Sequence, residues 1–149
     1  MNTLLGKIPL VARILLGFIV ALFGLNGFLH FLPMPAPTGG AAQFFGGLSA
    51  APYFFPLMAA TQLIGGVLLL SGRFVPLALT ILAPVIVNIV GFHITLDPHG
   101  FGPAALVLVL EIYLAWAYRD SFAPMLRSHA VPAARSAQSE QVEHSLRHA

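Results

Sequence analysis

The sequence predicts an all-α integral membrane protein: a four-helix bundle with both termini cytoplasmic and a short interfacial helix or re-entrant segment in its first outer loop. Three observations predict it. Of 149 residues, 58% are hydrophobic and 8% charged, and the mean hydropathy is +0.87, whereas a soluble domain carries roughly a quarter charged residues. Four apolar runs are long enough to cross a hydrocarbon core of about 30 Å at ~1.5 Å per residue. With four spans, every Lys and Arg falls on one side of the membrane. The length is that of one domain.

The first span is expected over residues 10–32. Lys7 before an apolar run resembles a secretory signal, but the run is long and three more follow, so it is read as a retained helix. Arg13 near its start can snorkel to the headgroups. The run stops at Pro33-Met34-Pro35-Ala36-Pro37, where prolines prevent a regular helix from continuing. Residues 41–51 are apolar but too short to span, and Phe44, Phe45 and Leu48 share one side of a short helix.

The second span is expected over 52–70 and the third over 74–96. The connection at Gly72 is short enough to make these two antiparallel neighbours. Asp97-Pro98-His99-Gly100 forms a turn, and the fourth span follows at 102–118. Residues 1–124 thus form the bundle, and 125–149 read as a flexible cytoplasmic tail with a weak helix near 140–147. Its histidines, His129, His144 and His148, read as solvated.

Basic residues fix the orientation. Lys7, Arg13, Arg73, Arg119, Arg127, Arg135 and Arg147 lie on one side, while the 33–51 connection has no Lys or Arg. The positive-inside rule makes that side cytoplasmic. Tyr53, Trp116 and Tyr118 sit where aromatic belts form. The expected location is a bacterial plasma membrane.

Composition also excludes chemistry. Without cysteine, the chain has no disulfide, thiolate metal site or cofactor bound through cysteine. Sparse basic residues favour contact with membrane lipids, and no basic patch with interleaved aromatics points to nucleic acid.

Function is sought in the polar residues embedded in the apolar runs. These are Asn26 and His30 in the first span, Thr61 and Gln62 in the second, Asn88 and His93 in the third, and Glu111 in the fourth. Counting from the helix ends puts Gln62 and Glu111 near mid-membrane, with Asn26, Asn88, His30 and His93 progressively further out. The set forms an expected funnel, and Glu111, His93, His30, Asn88, Asn26 and Gln62 are the candidates for ligand binding or proton handling. A carboxylate in hydrocarbon costs several kcal/mol unless paired, hydrogen-bonded, hydrated or protonated.

Other readings stand beside this one. Glu111 can form an inter-helix hydrogen bond that fixes the bundle, or face water or another protein. The histidines can bind a headgroup or quinone-like carbonyl, or simply suit an interface. A metal would need a third ligand such as His99, and no metal site is assigned.

Asn26 and His30 are four apart and expected on one face. Asn88 and His93 are five apart, about 140° around a helix. Pro84 leaves the Thr80 carbonyl without its normal donor and favours a bend. Gly17, Gly24 and Gly27, with Gly65-Gly66, suggest close helix packing. The two halves are weakly alike, each carrying Asn and then His before a proline loop, as in a parallel repeat.

Four stretches carry a family resemblance. They are Arg13-Ile14-Leu15-Leu16-Gly17 leading through Phe23-Gly24-Leu25-Asn26-Gly27-Phe28 to His30-Phe31-Leu32-Pro33-Met34-Pro35; Gly72-Arg73-Phe74-Val75-Pro76 with Pro84-Val85-Ile86-Val87-Asn88; His93-Ile94-Thr95-Leu96-Asp97-Pro98; and Glu111-Ile112-Tyr113-Leu114-Ala115-Trp116-Ala117-Tyr118-Arg119-Asp120. Over residues 8–124 the chain resembles the DoxX and DoxX-like membrane proteins. The resemblance implies four membrane helices and, as in members similar to the membrane subunit of a thiosulfate:quinone oxidoreductase, a link to redox complexes. Many members carry a basic residue where this chain has Gly27, and often an acid where it has Gln62. Chemistry that relies on a buried ion pair is therefore not carried over.

The expected function is a membrane subunit of a redox-associated complex, which binds a quinone or similar lipid-soluble ligand while a redox-enzyme partner supplies the electrons. Nothing in the chain is suited to carry electrons itself. The alternatives are a small proton-coupled transporter and a structural or assembly membrane protein. A homodimer is expected, because four short helices enclose little volume.

Overall fold

The computed structural model describes residues 7–126. The expected tail from residue 127 on, with its histidines and its helix near 140–147, lies outside the described residues. Among those described there is no strand. Four helices are long and apolar enough to cross a membrane, which makes the chain a multi-pass membrane protein in form.

Helix α1 (Ile8–Leu29) begins with Pro9 in its first turn, where no backbone N–H is needed. Helix α2 (Gly39–Ser49) is the short piece. Helix α3 (Phe54–Ser71) ends at Gly72, which takes φ 71°, a left-handed conformation that glycine adopts without steric cost. Helix α4 (Val75–Thr95) starts after Phe74 at φ 54° and contains Pro84. A single 3₁₀ turn (Pro98–Gly100) leads into α5 (Phe101–Ala117). Short α6 (Arg119–Phe122) and a 3₁₀ turn (Ala123–Leu126) complete the described chain. The bundle, up to Arg119, forms one compact unit.

In the bundle, α1 packs on α3, α3 on α4, α4 on α5 and α5 back on α1. That cyclic order makes each spanning helix antiparallel to both neighbours. It places α3 and α5 across the bundle from each other. The core is built from Leu16 and Val20 of α1, Leu69 of α3, Leu79, Leu82 and Ile86 of α4, and Leu114 of α5. Lys7, Arg13, Arg73 and Arg119, the Lys and Arg among the described residues, all lie at one end, hereafter the basic end.

Glycines set the helix spacing. A Cβ at Gly24 would stand 2.5 Å from the Leu63 backbone nitrogen, and one at Gly66 would stand 2.6 Å from that of Ala21. Gly17 abuts Leu69 and Gly66, and Gly27 abuts Ala59. The α1–α3 seam is therefore backbone against backbone, the close approach that small residues permit in membranes. Adjacent Gly65 serves the other neighbour, receiving the Leu82 side chain of α4. Gly65 and Gly66, about 100° apart on the helix, thus let two different helices approach α3.

At the end opposite the basic one, α2 lies on an aromatic cluster. Phe44 and Phe45 meet Phe92 with ring centroids 5.6 and 5.1 Å apart, and Phe45 meets Phe55 at 5.9 Å. Gly40 abuts Leu96. These contacts join α2 to the ends of α3 and α4.

One detail differs from expectation, and one adds to it. Helix α1 stops at Leu29 rather than Leu32, because Asn26 ends it from within, as described below. Arg13 lays its guanidinium against Gly72 at the basic end of the neighbouring helix, a contact the sequence did not indicate. The missing side chain at Gly72 leaves the room, and the carbonyl end of α3 attracts a cation.

Candidate functional site

Three polar side chains are buried in the bundle: Asn26, Gln62 and Glu111, at 8%, 7% and 6% exposure. Glu111 lies on α5 in the stripe Ala104, Val107, Glu111, Leu114, which faces the core. Its Oε2 is fully buried and makes no hydrogen bond among the described residues. Six residues separate it from the basic end of α5, about 9 Å at 1.5 Å per residue.

Gln62 sits in the middle of α3, in the buried stripe with Ala59, Gly65, Gly66 and Leu69. Nine residues separate it from that helix's basic end. It therefore lies roughly one turn further from the basic end than Glu111. The two face the interior from helices across the bundle. The neighbouring Thr61 donates its hydroxyl to the Leu57 carbonyl at 2.9 Å.

Asn26 serves the end of α1. Its Oδ1 accepts the Leu32 N–H at 2.7 Å, and its carbonyl accepts the His30 N–H at 2.8 Å. The second is the last i→i−4 bond of the helix, the first holds the chain just beyond it, and His30 between them takes φ 51°. The four-residue spacing that puts Asn26 and His30 on one face holds only inside a helix. Because the helix has already ended, His30 is exposed while Asn26 is buried.

His93 is likewise engaged. Its Nδ1 lies 2.9 Å from the Asp97 carbonyl oxygen and 3.5 Å from the Asp97 carboxylate. Its ring occupies the space where a side chain at Gly100 would go, and it meets Phe92 edge-on at 5.1 Å. The imidazole latches the turn between α4 and α5.

Asn88 faces away from the core. It is exposed, and its Nδ2 donates to the Pro84 carbonyl one turn back, at 2.8 Å. The core-facing residues of α4 are Val75, Ala78, Leu79, Leu82 and Ile86, and position 88 lies on the opposite side. The expected funnel is therefore not one cluster. Glu111 and Gln62 share the interior, Asn26 and His93 hold helix ends, and His30 and Asn88 point outward. Asn88 is not available to Glu111, as α4 presents it to the surroundings.

No three His, Asp or Glu side chains converge among the described residues, so His30, His93 and His99 supply no metal-ligand set. Sequence reasoning also missed the seat of Arg13 on Gly72 and the part Phe55 and Phe92 play in fixing α2. Gly72 and the Phe44-Phe45 pair were the available signals.

Two side-chain atoms among the described residues are buried without a hydrogen-bond partner, Arg13 Nε near the basic end and Glu111 Oε2; the second belongs to a carboxyl inside an apolar bundle, with an amide across from it. A carboxyl group can accept a hydrogen bond from a hydroxyl and, when protonated, donate one to a carbonyl. Comparisons with protein-family models, with curated proteins and with solved structures find no match for the chain.

Proposed function

We propose that this chain is the membrane subunit of a redox-associated complex, similar to DoxX proteins, and that it holds a quinone or similar lipid-soluble ligand against the Glu111 carboxyl. The observation that carries this reading is Glu111 itself: 6% exposed, with an oxygen buried and unpartnered. A buried polar group without a partner is costly, and a bound carbonyl or hydroxyl would remove that cost. Gln62 is the second contact of this proposal. Asn26 and His93 drop out of it as ligand contacts, since their polar atoms already serve the fold.

The resemblance over residues 8–124 supports the redox association, with a partner enzyme supplying electrons. The expected setting is a bacterial plasma membrane with both termini cytoplasmic. Gathering of Lys7, Arg13, Arg73 and Arg119 at one end of the bundle supports that orientation. The 11 residues of α2, too few to span, support its lying along the outer interface.

Binding of a short-chain quinone analogue to the purified chain in nanodiscs tests the proposal. Glu111→Leu is expected to weaken binding at least tenfold, about 1.4 kcal/mol, while His93→Ala leaves it unchanged. Equal affinity in wild type and Glu111→Leu would sink the reading. A buried unpaired acid also favours a small proton-coupled transporter. Solute uptake into liposomes that is abolished by Glu111→Gln, without quinone binding, would move the assignment there. Absence of both binding and uptake would leave a structural or assembly role.

A further inference from the structure

The outward face of α4 is not uniformly apolar. Thr80, Pro84, Asn88, Gly91 and Thr95 are all exposed. At 100° per residue they fall within an arc of about 80°, on the side opposite Val75, Ala78, Leu79, Leu82 and Ile86. Position 88 lies three residues from the centre of α4, roughly 5 Å along the axis, and so within the hydrocarbon core of any bilayer that this helix crosses.

The two threonine hydroxyls are satisfied inside the helix, donating to the Pro76 and Gly91 carbonyls at 2.8 Å. Asn88 is not fully satisfied. One N–H goes to the Pro84 carbonyl, which leaves its other N–H and both lone pairs of Oδ1 open. On the same face, Pro84 has no N–H to give the Thr80 carbonyl. Beside Asn88, Gly91 leaves open space: a Cβ there would meet nothing within 4 Å. Unsatisfied amide groups facing lipid tails are unfavourable, whereas the same groups between two helices hydrogen-bond.

We propose that this face of α4 packs against the same face of a second copy of the chain, with the two Asn88 amides hydrogen-bonded to each other across a two-fold axis. The amide selects the occupant. In a two-fold interface each surface meets itself, and a carboxamide is complementary to itself because it carries a donor and an acceptor side by side. A lipid tail offers neither. Gly91, one turn from Asn88 on the arc, lets the two backbones approach at that level. The interface is independent of Glu111, so the two proposals stand or fall separately.

The chain has no cysteine, which permits a direct test on the full-length protein in liposomes. Single cysteines at Gly91 and Thr95, on the stripe, are expected to form disulfide-linked dimers on mild oxidation. Cysteines at Ile64 and Ile112, exposed on α3 and α5, are expected to remain monomeric. Asn88→Val should weaken dimerisation roughly tenfold in a fluorescence-transfer titration. Gly91→Ile should abolish the dimer while keeping the thermal stability of the monomer, because the site is empty in one copy. A monomeric wild type, cross-linking of equal yield on all faces, or a dimer indifferent to both Asn88→Val and Gly91→Ile would overturn the proposal.

Discussion

Asn26, Asn88 and His93 show how the value of a polar side chain in a membrane helix depends on what it reaches. Asn26 holds the Leu32 N–H, and without it that donor loses its partner in a partly buried place. Asn26→Ala is expected to lower stability by about 1–2 kcal/mol, read as a lower melting temperature in detergent. His93→Ala, which unlatches the Asp97 turn, should cost a similar ~1 kcal/mol. Neither substitution should change the affinity for a quinone analogue, which separates the residues that hold the fold from Glu111. The burial of Glu111, Gln62 and Asn26 was legible in the sequence, because an uncompensated polar group avoids lipid. The facing of Asn88 was not. In a soluble helix the polar side marks the outside, but in a membrane helix a polar stripe can face the core or the surroundings, so periodicity groups Thr80, Asn88 and Thr95 without saying which way they face.

At the scale of the element, the α1–α3 seam is the most exacting contact. Gly24 meets the backbone of Leu63, and Gly66 meets that of Ala21. Backbone cannot yield as a side chain does, so Gly24→Val is expected to separate the helices and to destabilise by about 3 kcal/mol or more, at or beyond the upper end of the range typical of overpacking. Gly91→Ala, measured on the monomer, is the internal control. It meets nothing within 4 Å, and alanine is the better helix former by about 1 kcal/mol, so its melting temperature should hold or rise. The glycine spacing in α1 indicated this seam from sequence. That Gly65 and Gly66 would divide between two neighbours follows only from the packing, since either could have faced α1.

For the molecule as a whole, the four spans were legible because length and hydropathy decide them almost alone. The end of α1 was less so, since Asn26 terminates it through a bond to a residue six positions on, and no local propensity encodes that. Orientation is open to direct measurement. A cysteine at Met34 should react with a membrane-impermeant maleimide added to intact cells, and one at Arg73 should react only after the membrane is opened. The reverse pattern would invert the topology.

The turn between α3 and α4 has a consequence for how the chain is made. Only Gly72, Arg73 and Phe74 separate the two helices, and Gly72 and Phe74 both take left-handed backbone angles. A linker so short leaves no slack for one helix to settle before the other has emerged from the ribosome. Helices α3 and α4 are therefore expected to enter the bilayer together, as a hairpin with Arg73 at its tip. Lengthening that tip with a flexible glycine-serine stretch would let each helix insert separately, an effect that the pulling force on chains arrested at successive lengths during synthesis would record as two events in place of one.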